Sequence, residues 1–310
     1  MSRGALAFTL QLAVSLVLLV LLARRVPFHD AADALGRLRP GTLASCVALS
    51  LVGYWGRARR WSILLERCGV TLPSRTSYRL TLVGTFYGLV TPGRVGEFAR
   101  VLHLDAPRTA TLSSAVWDRV ADILILELLC VPAFLFVPAW RGPLLLTYLA
   151  LVAFTVAGVV ALGNPAVLRG VARIVPVLAR PAERWAGYSR GLLLGGVGVA
   201  SFGWGAFFYV FNYAVAWLLI RDLVPHASPL LLVGLPVIPL LGNLPVALGG
   251  LGLREQVSAS VFGQFGAGAA NGAVFSLLLF TTVTLLPGLL GFLASALPGV
   301  RGNSVETTRP

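Results

Sequence analysis

The chain has 310 residues, 57% of them hydrophobic and only 12% charged, with a mean hydropathy of +0.83. Soluble domains carry roughly 25% charged residues, so a water-soluble globule is excluded and most of this chain is dissolved in lipid. Its 25 basic residues against 12 acidic ones give a net charge of +13, and every basic residue is Arg. These stand in short clusters between apolar runs, which excludes the continuous basic face of a nucleic-acid binder and suits cytoplasmic loops and anionic head groups.

Residues 6–22 form an uninterrupted apolar run, long enough to span. Arg24 and Arg25 follow where a cleaved signal peptide would need small residues, so the run reads as a retained first span. Residues 26–40 are short, mixed and weakly amphipathic, an interfacial helix with solvated charges at His29, Asp30 and Asp33. The second apolar run, residues 42–56, is followed by Arg57, Arg59, Arg60 and Trp61, then Arg67, Arg75 and Arg79. By the positive-inside rule this is a cytoplasmic loop with Trp61 at head-group level, and the N-terminus is cytoplasmic too.

Residues 80–90 are apolar but about half the length of a span. They run into Thr91, Pro92, Gly93, Arg94, Val95, Gly96, Glu97, Phe98, Ala99 and Arg100. A short segment broken by Pro92, Gly93 and Gly96 is expected to be re-entrant, because a lipid-facing break leaves backbone groups unsatisfied. Residues 116–137 and 144–162 are full spans. Residues 164–190, with Arg169, Arg173, Arg180, Arg184 and Arg190 against Glu183, form a second cytoplasmic loop. Two spans between two cytoplasmic loops close only if the 80–100 segment returns to the side it entered.

Residues 191–220 carry no charge and suit a long tilted helix, with Trp204, Phe207, Phe208 and Phe211 at helical spacing as core packing. Residues 230–252 are broken by Pro236, Pro239, Pro245 and several glycines; residues 271–297 form the last span, and Arg301 and Arg309 follow.

An internal echo carries the most information. Pro92, Gly93, Gly96, Glu97 and Arg100 in the first half answer to Pro245, Gly249, Gly250, Gly252, Arg254 and Glu255 in the second. Two broken segments entering from opposite sides are the mark of an inverted-repeat transporter with a midplane site. The expected fold is therefore an all-α integral membrane protein of about six spanning helices plus two re-entrant broken helices. It is one transmembrane domain over 1–310, with an N-terminal half at 1–162, a cytoplasmic linker at 163–190 and a C-terminal half at 191–297. Charges at membrane depth are the second clue. Asp118, Arg119 and Asp122 open a span, and Glu127 lies inside it, about 15 Å along the axis from Trp117. Such acids mark an ion path or a buried partner, so Glu127 reads either as a proton carrier or as the counter-charge of a buried Arg. Asp118 and Asp122 share a helix face and are expected to hold Arg119 or another Arg, not a metal. Cys46, Cys68 and Cys130 are widely spaced and read as inert. No metal site and no cofactor motif is expected, and no hydrolase or ATP-binding motif is present.

Arg59-Arg60-Trp61, the Pro92 to Arg100 run, Asp118-Arg119, and Leu244-Pro245 through Gly249-Gly250-Leu251-Gly252-Leu253-Arg254-Glu255 occur in order. This pattern resembles the lysylphosphatidylglycerol synthase transmembrane region, a flippase-like membrane domain family, over residues 43–293. The resemblance implies a polytopic inner-membrane domain that moves anionic lipids between leaflets. Lysyl transfer is not expected, since only a short polar tail follows Leu297. The leading functional expectation is a flippase or scramblase, not an enzyme, for a phospho- or polyprenyl-phosphate-linked lipid. Its partners are anionic membrane lipids and, for assembly, further copies of the chain. Arg100 and Arg254 bind the phosphate, Arg94 assists, and Glu97 and Glu255 orient the guanidinium groups. Two alternatives stay open: a membrane glycosyltransferase using Asp30 or Asp33 with a lipid-linked sugar, and a proton-coupled small-solute transporter using Glu127.

Overall fold

A computed structural model describes residues 28–164, 166–167, 170, 196–244 and 250–296. The expected first span at 6–22, most of the 164–190 loop, Pro245, Gly249 and the tail beyond residue 296 lie outside the described residues. Among the described residues every regular element is a helix, as expected of an all-α membrane protein. In order these are α1 (Phe28–Gly36), α2 (Pro40–Arg67), α3 (Ser74–Val90), a 3-10 segment (Pro92–His103), α4 (Arg108–Phe136) and a 3-10 turn (Pro138–Trp140). There follow α5 (Pro143–Gly163), α6 (Gly196–Leu223), α7 (Leu231–Gly234), α8 (Val237–Gly242), α9 (Leu253–Gln264), α10 (Ala269–Phe280), a π-helical turn (Thr281–Leu285) and α11 (Leu286–Ala296).

Among the described residues three helical runs are both long and apolar enough to cross a bilayer: Leu144–Gly163, Gly196–Leu223 and Ala269–Ala296. The α2 and α4 helices, of 28 and 29 residues, have the length but bury charges. The α5 helix is the most lipid-exposed, with only 6% of its apolar window buried and Leu146, Phe154 and Val160 facing outward. Where the apolar run shortens or breaks, so do the helices: Pro236 separates α7 from α8.

Two boundaries differ from the sequence expectation. The α2 helix does not stop at Gly56 but continues to Arg67, so Arg57, Arg60 and Trp61 are buried helix residues, not loop or head-group residues. Carboxylates facing this part of the helix allow it, as described below. The α3 helix starts at Ser74 and so has 17 residues, longer than its apolar stretch, because Arg75 and Arg79 are tolerated in its opening turns.

Close contacts divide the chain into two compact units: Met1–Tyr54, Leu82–Glu97 and Tyr209–Ala294 in one, Trp55–Thr81, Phe98–Phe208 and Ser295–Pro310 in the other. These interleave along the sequence, since α2, α3 and α6 each supply residues to both. In the first unit, α1 packs on α10 and α9 packs on α10, with the Ser258 hydroxyl donating to the Gly272 carbonyl at 2.6 Å. The α11 helix approaches α3 with Phe292 against Phe86, ring centroids 4.9 Å apart. Arg37 donates to the Leu223 carbonyl at the end of α6 (3.0 Å), a cationic side chain at the negative end of a helix. In the second unit, Trp61, Leu64, Leu65, Leu80 and Trp117 form the core. The aromatic stripe of α6 is packed as expected: Trp204 and Phe207 meet Trp55 at 5.1 and 6.2 Å.

Candidate functional site

Each broken segment brings a glycine back against a carbonyl of the helix before it. After α3, Thr91 Oγ1 donates to the Tyr87 carbonyl (2.8 Å) and accepts from the Gly96 N–H (2.7 Å), which folds the chain back along the helix it has just left. A Cβ on Gly96 would collide with the Tyr87 carbonyl. After α8, Gly250 returns against the Gly242 carbonyl with φ +76°, and a Cβ there would collide with it. In each case a glycine in the preceding helix makes room for a charged side chain, Gly88 for Glu97 and Gly242 for the stem of Arg254. Of the expected breaks, Gly96 and Gly250 sit at these close backbone approaches.

These reversals place two arginines in the first unit. Arg254, its side chain 14% exposed, lies 4.0 Å from the Phe280 ring and donates to Glu255 Oε1 at 3.3 Å. Its Nε is buried without a hydrogen-bond partner among the described residues. Glu255 is fully buried and already engaged: Oε2 accepts the Gly252 N–H at 2.6 Å and Oε1 accepts the Ser276 hydroxyl at 3.2 Å. Arg94 stands close enough for its charge to act on Arg254, and is ion-paired to Glu97 at 2.8 Å. It holds a left-handed backbone, φ +58°. Phe280 closes α10, and the π-helical turn begins at the next residue; such turns gather at functional sites.

The second unit holds a different kind of cluster. Arg60, 0% exposed, donates from Nε to Asp118 at 2.6 Å and from Nη1 to Asp122 at 3.2 Å. Arg100 donates to the other Asp118 oxygen at 2.6 Å, and its guanidinium lies 4.2 Å from the Trp61 ring. The Trp61 indole donates in turn to Ser114 at 3.2 Å. Arg57 and Arg119 each approach Asp122 at 3.6 Å. Two carboxylates at i,i+4 on α4 therefore tie α2, the 3-10 segment and α4 together, matching the expectation that they hold arginines. Sequence proximity pointed to Glu97 as the acid orienting Arg100; the structure puts Asp118 there and pairs Glu97 with Arg94.

Glu127, 4% exposed, accepts a hydrogen bond from Thr155 of α5 at 2.7 Å, and makes no ion pair among the described residues. The expected counter-charge to a buried Arg is therefore not its place. Asp30 and Asp33 fall on α1, Asp33 exposed. Arg100 and Arg254 belong to different compact units. Sequence reasoning missed Arg57, Arg60, Ser276, Phe280 and Thr155. Only the first two carried a legible signal, an i,i+3 cationic pair matching an i,i+4 acidic pair on another helix.

Neither a curated protein nor a solved structure matches the chain. The family described as the lysylphosphatidylglycerol synthase TM region matches over residues 8–291, nearly the whole length. The chain thus belongs to the lysylphosphatidylglycerol synthase TM region family, membrane proteins whose role is lipid-related.

Proposed function

We propose that this protein moves a lipid with an anionic phosphate head group between leaflets, as a transporter and not an enzyme, with Arg254 binding the phosphate and Arg94 supporting it. The observation that carries the reading is the incomplete pairing of Arg254. Among the described residues its one carboxylate partner is shared with Gly252 and Ser276, and its buried Nε has no acceptor. A phosphate offers paired oxygens to the forked edge of a guanidinium, which satisfies both needs at once. The start of α9 adds backbone N–H groups and the positive end of a helix dipole at the same point. Glu97 and Glu255 keep the local charge near balance, so a head group is bound without being trapped. Arg94 holds a strained backbone where a functional position is the usual reason for strain. Residence in the inner membrane, with both termini cytoplasmic, belongs to the same proposal.

The test is reconstitution into proteoliposomes carrying fluorescent phosphatidylglycerol or a fluorescent ceramide without phosphate, with leaflet exposure read by an impermeant quencher. Wild type should move the phosphate lipid preferentially. Arg254→Lys keeps the charge but loses the fork, so movement should fall about tenfold, a loss of ~1.4 kcal/mol, at unchanged folded yield. Equal rates for both lipids, or an Arg254→Lys variant as fast as wild type, would remove the assignment.

A further inference from the structure

We propose that Glu127 is a proton-binding site, a single carboxyl between α4 and α5 that takes up and releases one proton as the protein works. Its surroundings differ from those of the other acids on the same helix. Asp118 and Asp122 face arginines, whereas Glu127 faces a hydroxyl. From α5, Thr155 donates to its Oε1 at 2.7 Å, and Tyr148 donates to its backbone carbonyl at 2.9 Å, fixing the same turn. On α4 itself, Cys130 lies three residues on, fully buried. Asp122, five residues back, is engaged by Arg57, Arg60 and Arg119. The α6 helix meets α4 where Gly205 adjoins Ile125, and residues 196–208 bring no titratable side chain. The 3-10 turn Pro138–Trp140 brings none either, and Arg141 beyond it donates to the Phe134 and Leu135 carbonyls.

What lies outside this pocket matters as much. The α5 helix that covers Glu127 turns Leu146, Leu149, Phe154 and Val156 outward, so one helix separates the carboxyl from lipid. An ionised carboxylate there, 4% exposed and with no cation paired to it among the described residues, is costly; the neutral acid, with one accepted hydrogen bond, is not. Losing or gaining the proton therefore changes how favourable the closed α4–α5 packing is, and a state that exposes Glu127 is favoured when the proton leaves. The site is defined without reference to any cargo. If the phosphate-lipid reading also holds, the proton gives that movement its direction.

Dicyclohexylcarbodiimide, which reacts with protonated carboxyls in apolar surroundings, tests the site on the wild-type protein in proteoliposomes. The adduct, located by peptide mass spectrometry, should fall on Glu127 and not on Asp118 or Asp122. Above its midpoint the yield should drop about tenfold per pH unit, following the protonated fraction. Absence of an adduct at Glu127 at every pH, or a yield that ignores pH, overturns the proposal. In the transport assay, Glu127→Gln should flatten the pH dependence of lipid movement; an unchanged profile overturns the coupling. Failure of lipid movement in wild type with intact, pH-dependent labelling would sink the lipid reading and leave the proton site standing.

Discussion

Arg100 and Arg254 look alike in sequence, since each follows a break rich in Pro and Gly and stands near a Glu. Their surroundings differ. Arg100 holds one Asp118 oxygen at 2.6 Å while Arg60 holds the other at the same distance, and the Trp61 ring lies against its face. Arg254 has a longer 3.3 Å contact to a carboxylate that also accepts from the Gly252 N–H and the Ser276 hydroxyl. A buried arginine is fixed in the architecture when its donors are met by dedicated acids, and is open to a ligand when they are not. Motif shape records neither condition.

The largest effect should come from breaking the fixed cluster. Asp118 serves two arginines that are 0% and 5% exposed, so Asp118→Asn leaves both undercompensated. Removing one partner of a buried pair costs about 3–5 kcal/mol. Expression should collapse, or denaturation in detergent should shift by that amount, whatever lipid is supplied. A well-folded Asp118→Asn protein that has only lost transport would move this cluster into the functional site and erase the contrast.

Next in size are the two reversals, which the contrast treats as equivalent scaffolds. Gly250→Ala meets two obstacles, a carbonyl in the way and a left-handed φ of +76°. Gly96→Ala meets the Tyr87 carbonyl and the Thr91 hydroxyl, with no left-handed φ to add. Overpacking costs about 1–3 kcal/mol and the left-handed conformation about 1–2 more, so Gly250→Ala should be the more destabilising. Thermal denaturation of the pair measures the difference directly.

How much of this was legible in the sequence follows from the range of each interaction. The broken segments were visible because Pro and Gly act on their own backbone, and the long spans because hydropathy is a sum over one helix. The end of α2 was misplaced because Arg57 and Arg60 look like loop residues until Asp118 and Asp122 arrive from another helix. The same limit made Glu97 the apparent partner of Arg100. Glu127 was visible as a buried acid, but the Thr155 hydroxyl that meets it lies on α5 and leaves no periodic trace.

A smaller effect separates the two arginines by geometry alone. Arg100→Lys keeps a charge beside Asp118 but gives up the planar face on Trp61 and the fork, for about 1–2 kcal/mol of stability. Arg254→Lys gives up a similar face on Phe280 but a longer ion contact, so its loss of stability should be smaller than that of Arg100→Lys, while transport falls about tenfold. If the losses were reversed, Arg100 would be the ligand-binding arginine.

The smallest expected effect concerns Arg94. Its φ of +58° is a conformation that a glycine adopts without penalty and an alanine does not. Arg94→Gly relieves the backbone while removing the ion pair to Glu97, a largely buried carboxylate. The two effects oppose each other, so the net loss of stability should be well below that of Asp118→Asn. Arg94→Ala loses the same ion pair but keeps the strained φ, so it should be less stable than Arg94→Gly by about 1 kcal/mol. Both variants remove a positive charge that acts on Arg254, and both should slow phosphate-lipid movement a few-fold, less than Arg254→Lys does. Slowing in both, with a stability gap between them, separates the charge of Arg94 from its backbone. Equal stability would mean that the turn relaxes around residue 94, and normal transport in both would confine phosphate recognition to Arg254.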